Sequence, residues 1–181
     1  MVKSYKYDQS QYVEWLDRAK EDYLTAKSSV GVSLRNSAYL IQQCCEKLLK
    51  GYLVFHNVTI DFTHDLVMLY DKCLEYNLVL DESLKKDLFL ITTFETESRY
   101  LSTYVFSNND IEVGFNVADT LMDCVSKLTG YQFIWLIINN IFYVLDIYSW
   151  SPRSDSNRHG FPHDFESCAS TNFATRGSFL F

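Results

Sequence analysis

Proline is almost missing from this chain: Pro152 and Pro162 are the only two, and both lie beyond residue 150. Nothing in the first 150 residues therefore forces a proline break in a helix. Glycine is scarce too, with six in 181 residues, so the punctuation that separates short strands is thin. The five cysteines, Cys44, Cys45, Cys73, Cys124 and Cys168, are odd in number and show no CxxC spacing. The N-terminus MVKSYKYDQSQ has no apolar signal-peptide core. Together these point to a reduced, cytoplasmic protein without a disulfide frame or structural zinc. Basic residues are outnumbered 16 to 23, for a net charge of -7. That deficit argues against holding nucleic acid by broad phosphate neutralisation and leaves only a local basic groove. There is no glycine-rich phosphate loop, no HExxH and no nucleophile elbow. Neither a cofactor nor a bound metal is expected.

What is present is helical periodicity. From Asp8 to Ser29, the residues Tyr12, Leu16, Ala19, Tyr23 and Ala26 recur at steps of four and three, on one face of a helix. SSVGVSLRNS supplies turn residues, and a second helix is predicted from about Asn36 to His56, with Ala38, Ile41, Cys45, Leu48, Tyr52 and Phe55 in the same rhythm. After the connection NVTIDF, Thr63 reads as an N-cap with Asp65 in the first turn. Leu66, Leu69, Cys73 and Tyr76 would then face inward. A fourth helix is predicted from near Asp81 toward Tyr100, carrying Leu84, Leu88, Ile91 and Phe94. A fifth follows SNND with Ile111, Phe115, Ala118, Met122 and Val125. Short connections between amphipathic helices favour antiparallel neighbours, so the expected fold is all-α, an up-down antiparallel bundle of about five helices. A chain of this length supports one such domain, assigned to residues 1–128.

Residues 129–181 read differently and are expected to lie outside that fold. The run FIWLIINNIFYVLDIY (133–148) is apolar, but Asn139, Asn140 and Asp146 interrupt it, which argues against a membrane span. Beyond it, periodicity is lost, although Phe161, Phe165, Phe173, Phe179 and Phe181 are too many aromatics for an ordinary polar tail. PRSDSNRHGFPHDFESCASTNFATR resembles the peptide read from the antisense strand of a transfer RNA gene. The expectation is that a frame change or readthrough near Leu128 to Gly130 has joined translated non-coding DNA to the domain.

Polar residues also fall in a pattern. Gln42, Gln43, Glu46, Lys47 and Lys50 form rows beside the apolar stripe of the second helix, with Glu46 and Lys50 in the favourable i,i+4 order. On their own they read as a solvated face with an i,i+4 pair. His64 precedes Asp65 and can either order the helix start or face a ligand. Arg99 and Tyr100 follow Glu95 and Glu97, so Arg99 can form a salt bridge there.

The segment AYLIQQCCEKLLKGYLVFHNV, followed by THDLVMLYDKC and then ESRY, with WLDRAKEDYLTAK before it, resembles the HEPN domain family over about 120 residues. The ordered set QQxxEKxLKxxL, HDL and RY carries the resemblance. It implies a homodimer that binds nucleotide or RNA, encoded beside a minimal nucleotidyltransferase in a toxin-antitoxin-like or defence setting. On this reading the ligand-binding residues are Gln43, Lys47, Lys50, His64, Arg99 and Tyr100. Ribonuclease members carry an Arg followed four to six residues later by a His, and this chain departs from that pattern: Arg99 is followed by Thr103, Tyr104 and Val105. Arg153 with His159 and Arg158 with His163 match the spacing only in the atypical tail. No catalytic residue is assigned. The alternatives are a divergent metal-independent ribonuclease and a helical dimerisation module using exposed aromatics such as Trp15 and Tyr39.

Overall fold

The computed structural model describes residues 4–100 and 102–133. The transfer-RNA-like stretch and nearly all of the 133–148 run lie outside the described residues. Among the described residues five helices make the fold: α1 (Tyr12–Ser29), α2 (Leu34–Phe55), α3 (Leu66–Leu74), α4 (Glu82–Arg99) and α5 (Asn108–Thr129). One feature of the architecture is not periodic enough to read in sequence. Strand β1 (Ser4–Tyr5) pairs antiparallel with β2 (Ile60–Asp61), in the register Ser4 to Asp61 and Tyr5 to Ile60. Two residues per strand are too few for an alternating pattern to show. The pair ties the N-terminal segment to the α2–α3 connection.

Helix α2 is the centre, packed by α1, α3, α4 and α5. That position accounts for its composition: Ala38, Ile41, Cys44, Cys45, Leu48, Leu49, Tyr52 and Leu53 are all essentially inaccessible, so apolar groups cover more than one stripe. Two neighbours approach closely where a side chain is missing. A Cβ on Gly51 would lie 2.9 Å from Leu16 Cδ2, and one on Gly114 would lie 2.8 Å from Ile41 Cγ2. The first glycine admits α1 against α2, and the second admits α2 against α5. Among the described residues Tyr23, Tyr52 and Phe94 are the largest fully buried side chains. The two tyrosine hydroxyls are satisfied: Tyr23 Oη donates to Asp119 and Tyr52 Oη to the Tyr76 carbonyl, each at 2.5 Å. Tyr12 and Phe55, expected inside, instead meet edge to face at 5.1 Å in the partly buried margin.

Helix boundaries follow their caps. Asp8 caps a single 3-10 turn, Gln9–Gln11, from which α1 continues. Ser33 caps α2, Asp81 caps α4 and Ser107 caps α5 in a capping box with Asp110. The cap of α3 differs from the one expected. Asp65, not Thr63, is the N-cap, its carboxylate accepting from the Val67 and Met68 amides at 2.9 and 3.1 Å. Thr63 Oγ1 accepts from the Asp65 amide at 3.1 Å. The hydroxyl thus supports the residue that caps, and His64 is held between the two. At the other end of the fold, Gly130 terminates α5 with φ 75°, where a glycine carries no Cβ penalty. Just past it, Tyr131 Oη donates to Asp17 at 2.5 Å and Phe133 is buried. Among the described residues no helix is long and apolar enough to cross a membrane.

Candidate functional site

The polar rows of α2 are not a solvated face. Gln42 is 0% exposed, Glu46 5% and Lys50 7%, so the reading of these residues as a wet i,i+4 surface is overturned. What covers them comes from elsewhere in the chain. The α2–α3 connection brings His64 over Glu46, with Nδ1 at 3.1 Å from Oε2 and 3.2 Å from Oε1. Helix α4 brings Glu95, whose Oε2 lies 3.7 Å from the same ring nitrogen. Lys50 Nζ donates to Glu46 Oε1 at 2.7 Å, and Gln42 Nε2 donates to Glu46 Oε2 at 3.0 Å. Arg99 Nη1 donates to Glu95 Oε1 at 2.5 Å. Glu95 therefore has one oxygen on a cation and the other facing His64, while Glu46 turns both oxygens toward the ring and gives one of them to Lys50 as well.

These contacts set the charge states. Burial works to raise the Glu46 carboxyl, but Lys50, Gln42 and His64 together outweigh it and hold the group below its ordinary range. The Glu95 hydrogen bond and charge raise the Arg99 guanidinium further. Lys50 pairs with Glu46 and Arg99 with Glu95, so the acidic and basic groups match one for one. His64 is the most open of the groups around Glu46, with 44% of its side chain exposed. If Nδ1–H points at Glu46, Nε2 is the nitrogen left to meet a ligand. Phe62, 62% exposed, stands edge-on to the His64 ring at 5.7 Å. Tyr100 is also largely exposed, with the Arg99 guanidinium 6.0 Å from its ring centroid. The outer edge thus offers a guanidinium, an imidazole nitrogen and two aromatic rings.

The proposed ligand residues divide between two faces of α2. Lys50, His64, Arg99 and Tyr100 belong to the network just described. Lys47 and Gln43 do not: Lys47 Nζ reaches across to Asp22 on α1 at 2.5 Å and to Gln43 Oε1 at 3.3 Å. Gln43 Nε2 donates to Gln42 Oε1 at 2.7 Å, which links the two groups through one buried amide. Burial raises the Asp22 carboxyl despite the facing Lys47. Lys47 and Lys50 are therefore both committed to carboxylates, and Arg99 is the cation that keeps an exposed edge. Arg99 takes Glu95 as its partner, while Glu97 accepts from the Ser102 hydroxyl and from Arg35 through its carbonyl. Glu46, Glu95 and Gln42 are the members that motif reasoning did not assign. Their signal was the i-4 spacing of each glutamate from a cation, Glu46 to Lys50 and Glu95 to Arg99. Trp15 and Tyr39, expected exposed, are each partly buried.

Glu46, His64 and Glu95 present three ligand atoms within 4.8 Å of one another, the one such grouping among the described residues. The charge balance argues for an ion-pair network there in preference to a metal centre. A divalent ion would meet carboxylates that Lys50 and Arg99 already neutralise, beside a mostly buried Glu46.

The HEPN domain model matches residues 12–128 of the chain. Among solved structures, TT1696 from Thermus thermophilus is similar at TM-score 0.58 and 17% identity, covering 65% of this chain and 98% of that one. ST0689, described as an archaeal HEPN homologue, gives TM-score 0.42 and 19% identity, over 68% of this chain and 97% of its own. No curated protein matches the chain.

Proposed function

The chain belongs to the HEPN domain family, and from that premise we propose that it binds a nucleotide or an RNA phosphate at the outer edge of the His64–Arg99 network. It would do so in the cytoplasm, as a homodimer working beside a minimal nucleotidyltransferase in a toxin-antitoxin-like pair. The observation that carries the binding reading is the position of Glu95. One of its oxygens grips Arg99 and the other faces His64, so a cation and a titratable donor from distant parts of the sequence share one exposed edge. Arg99 retains guanidinium hydrogens for a phosphate oxygen, and His64 adds a second donor when protonated. Phe62 and Tyr100 supply exposed rings on which a base can stack. The chain's net charge of -7 favours a small nucleotide or a short RNA end over extended contact with a backbone.

Calorimetry with ATP, AMP and a short single-stranded RNA tests this. Arg99→Ala should weaken binding by roughly tenfold or more, the size of a charge-assisted hydrogen bond. Unchanged affinity in that variant defeats the reading. The nucleotidyltransferase partnership is tested by co-expression with the product of a neighbouring open reading frame that carries a GS motif and spaced aspartates.

A second reading draws on the Glu46–His64 contact. A carboxylate holding Nδ1 fixes the tautomer and leaves Nε2 as an acceptor, which is how a general base is oriented. With Arg99 nearby to stabilise developing phosphate charge, the pair that the Arg-x4-6-His pattern lacks along the sequence is approximated in space. An RNA degradation assay in EDTA, run on wild type, His64→Ala and Arg99→Ala, decides it. Cleavage lost in both variants favours a ribonuclease, and no cleavage by wild type leaves binding alone.

A further inference from the structure

On the face of α2 turned toward α1 lies a cleft of about 330 Å³ that the nucleotide reading does not use. Tyr7 and Gln11 from the N-terminal segment, Glu14, Trp15 and Arg18 from α1, and Lys47 from α2 line it. Successive residues on a helix point about 100° apart, so Lys47 faces α1 while Glu46 faces His64 and α4. The volume sits at the lower end of small-ligand pockets, enough for a one- or two-ring molecule with a short arm.

Two of the lining groups are fixed. Trp15 is seated by the absence of a side chain on Gly51, where a Cβ would come within 3.0 Å of Trp15 Cβ. Tyr7 closes on its edge at 5.4 Å and 90°. Among the described residues the Trp15 indole N–H has no hydrogen-bond partner, so the wall offers both an aromatic surface and a donor. Lys47 is the other fixed group, with 21% of its side chain exposed. An ammonium carries three N–H donors, and Asp22 and Gln43 take two. The rim is different: Arg18 and Glu14 form an exposed i,i+4 pair in which Nε and Nη2 share one carboxylate oxygen at 3.2 and 2.7 Å. Such a pair contributes little by itself and can rearrange toward a ligand.

We propose that this cleft is a second binding site, for a small aromatic carboxylate whose ring lies against Trp15 and whose carboxylate is held by Lys47 with Arg18. An uncharged aromatic ring would fill the apolar wall but leave the half-buried ammonium without its third partner. A simple inorganic anion would reach Lys47 but gain nothing from Trp15 and Tyr7. The combination of ring and carboxylate satisfies both.

The test uses the full chain and the indole N–H cross-peak of Trp15 in an ¹H–¹⁵N spectrum, identified by its loss in Trp15→Phe. The probes are indole-3-acetate and the uncharged indole-3-acetamide, which share ring and shape. Indole-3-acetate should shift the Trp15 signal saturably, with at least about tenfold preference over the amide, as expected for a charge-assisted contact. Lys47→Gln should abolish that preference and Lys47→Arg should keep it. Arg99→Ala should leave it unchanged, which separates this site from the nucleotide edge. Equal binding of acid and amide, an unsaturable response, or a preference that survives in Lys47→Gln with the helical circular dichroism intact would each overturn the proposal.

Discussion

Replacing Lys50 by Met examines the buried charge network where its energy is largest. Lys50 Nζ sits 2.7 Å from Glu46 Oε1, and only 9% and 7% of the two side chains are exposed. At an effective dielectric near 20, charges at the 2.7 Å found here attract by roughly 6 kcal/mol, most of which offsets removing both from water. The pair as such contributes little, but removing one partner leaves a buried carboxylate facing only Gln42, His64 and Glu95. The expected loss for Lys50→Met is therefore about 3 to 5 kcal/mol at neutral pH, or roughly 10 to 18 °C in Tm for a domain of this size.

The pH dependence gives the sign. In wild type the Glu46 carboxyl titrates below its ordinary value of 4.5, so its stabilisation is present above that value and is lost as pH falls through the lowered one. Without Lys50, burial becomes the dominant influence and raises the carboxyl. The folded variant then takes up a proton more readily than its unfolded chain, and its deficit relative to wild type should shrink as pH falls toward 5. Urea titrations of both proteins at pH 8 and pH 5 measure this. Adding Glu46→Gln should restore at least half of the loss, because a neutral amide replaces the stranded charge. A deficit below about 1 kcal/mol, or one that widens toward acid, would refute the reasoning.

Other expectations follow from the fold. Among the described residues His56 Nε2 is buried without a hydrogen-bond partner, its ring packed among Tyr52, Phe55 and Tyr76, and burial lowers its pKa. The unfolded chain then binds the proton more readily, so stability should fall as pH drops below about 6.5, and His56→Phe should remove that part of the slope in urea midpoints at pH 7.5 and 5.5. Gly51→Ala places a methyl 2.9 Å from Leu16 Cδ2. It should destabilise by about 1 to 3 kcal/mol in thermal unfolding even though alanine is the better helix former, and a stabilised variant would show that α1 can move away. Asp65→Ala removes the true cap of α3 and should cost about 0.5 to 2 kcal/mol in the same measurement, whereas Thr63→Ala, one contact further out, should cost less.

Much of the fold was legible because helices declare themselves through local spacing. Leu16, Ala19, Tyr23 and Ala26 on α1, or Ala118, Met122 and Val125 on α5, are buried where periodicity placed them. The boundary at Asp81 also agrees with a side chain that prefers caps, whereas α5 begins at Asn108, inside the SNND expected to precede it, because Ser107 is the cap. What could not be read was anything decided by a partner far along the chain. Gln42, Glu46 and Lys50 have the spacing of a solvated face, and only the arrival of His64 and Glu95 makes that face an interior. The β1–β2 pair joins residues more than fifty positions apart with two residues a side, leaving no local trace. The candidate site was legible as a set of residue types but not as a grouping. Sequence placed Lys47 with Lys50 because they are three apart, and packing gives them different partners, Asp22 on α1 for Lys47 and the buried Glu46 for Lys50.

A double-mutant cycle on nucleotide affinity, with His64→Ala and Arg99→Ala alone and together, tests most directly whether these two residues form one binding edge. ATP affinities should be non-additive, the double variant losing about threefold or more less than the product of the single losses. Two independent, multiplicative losses, or no loss from either, would contradict the assignment.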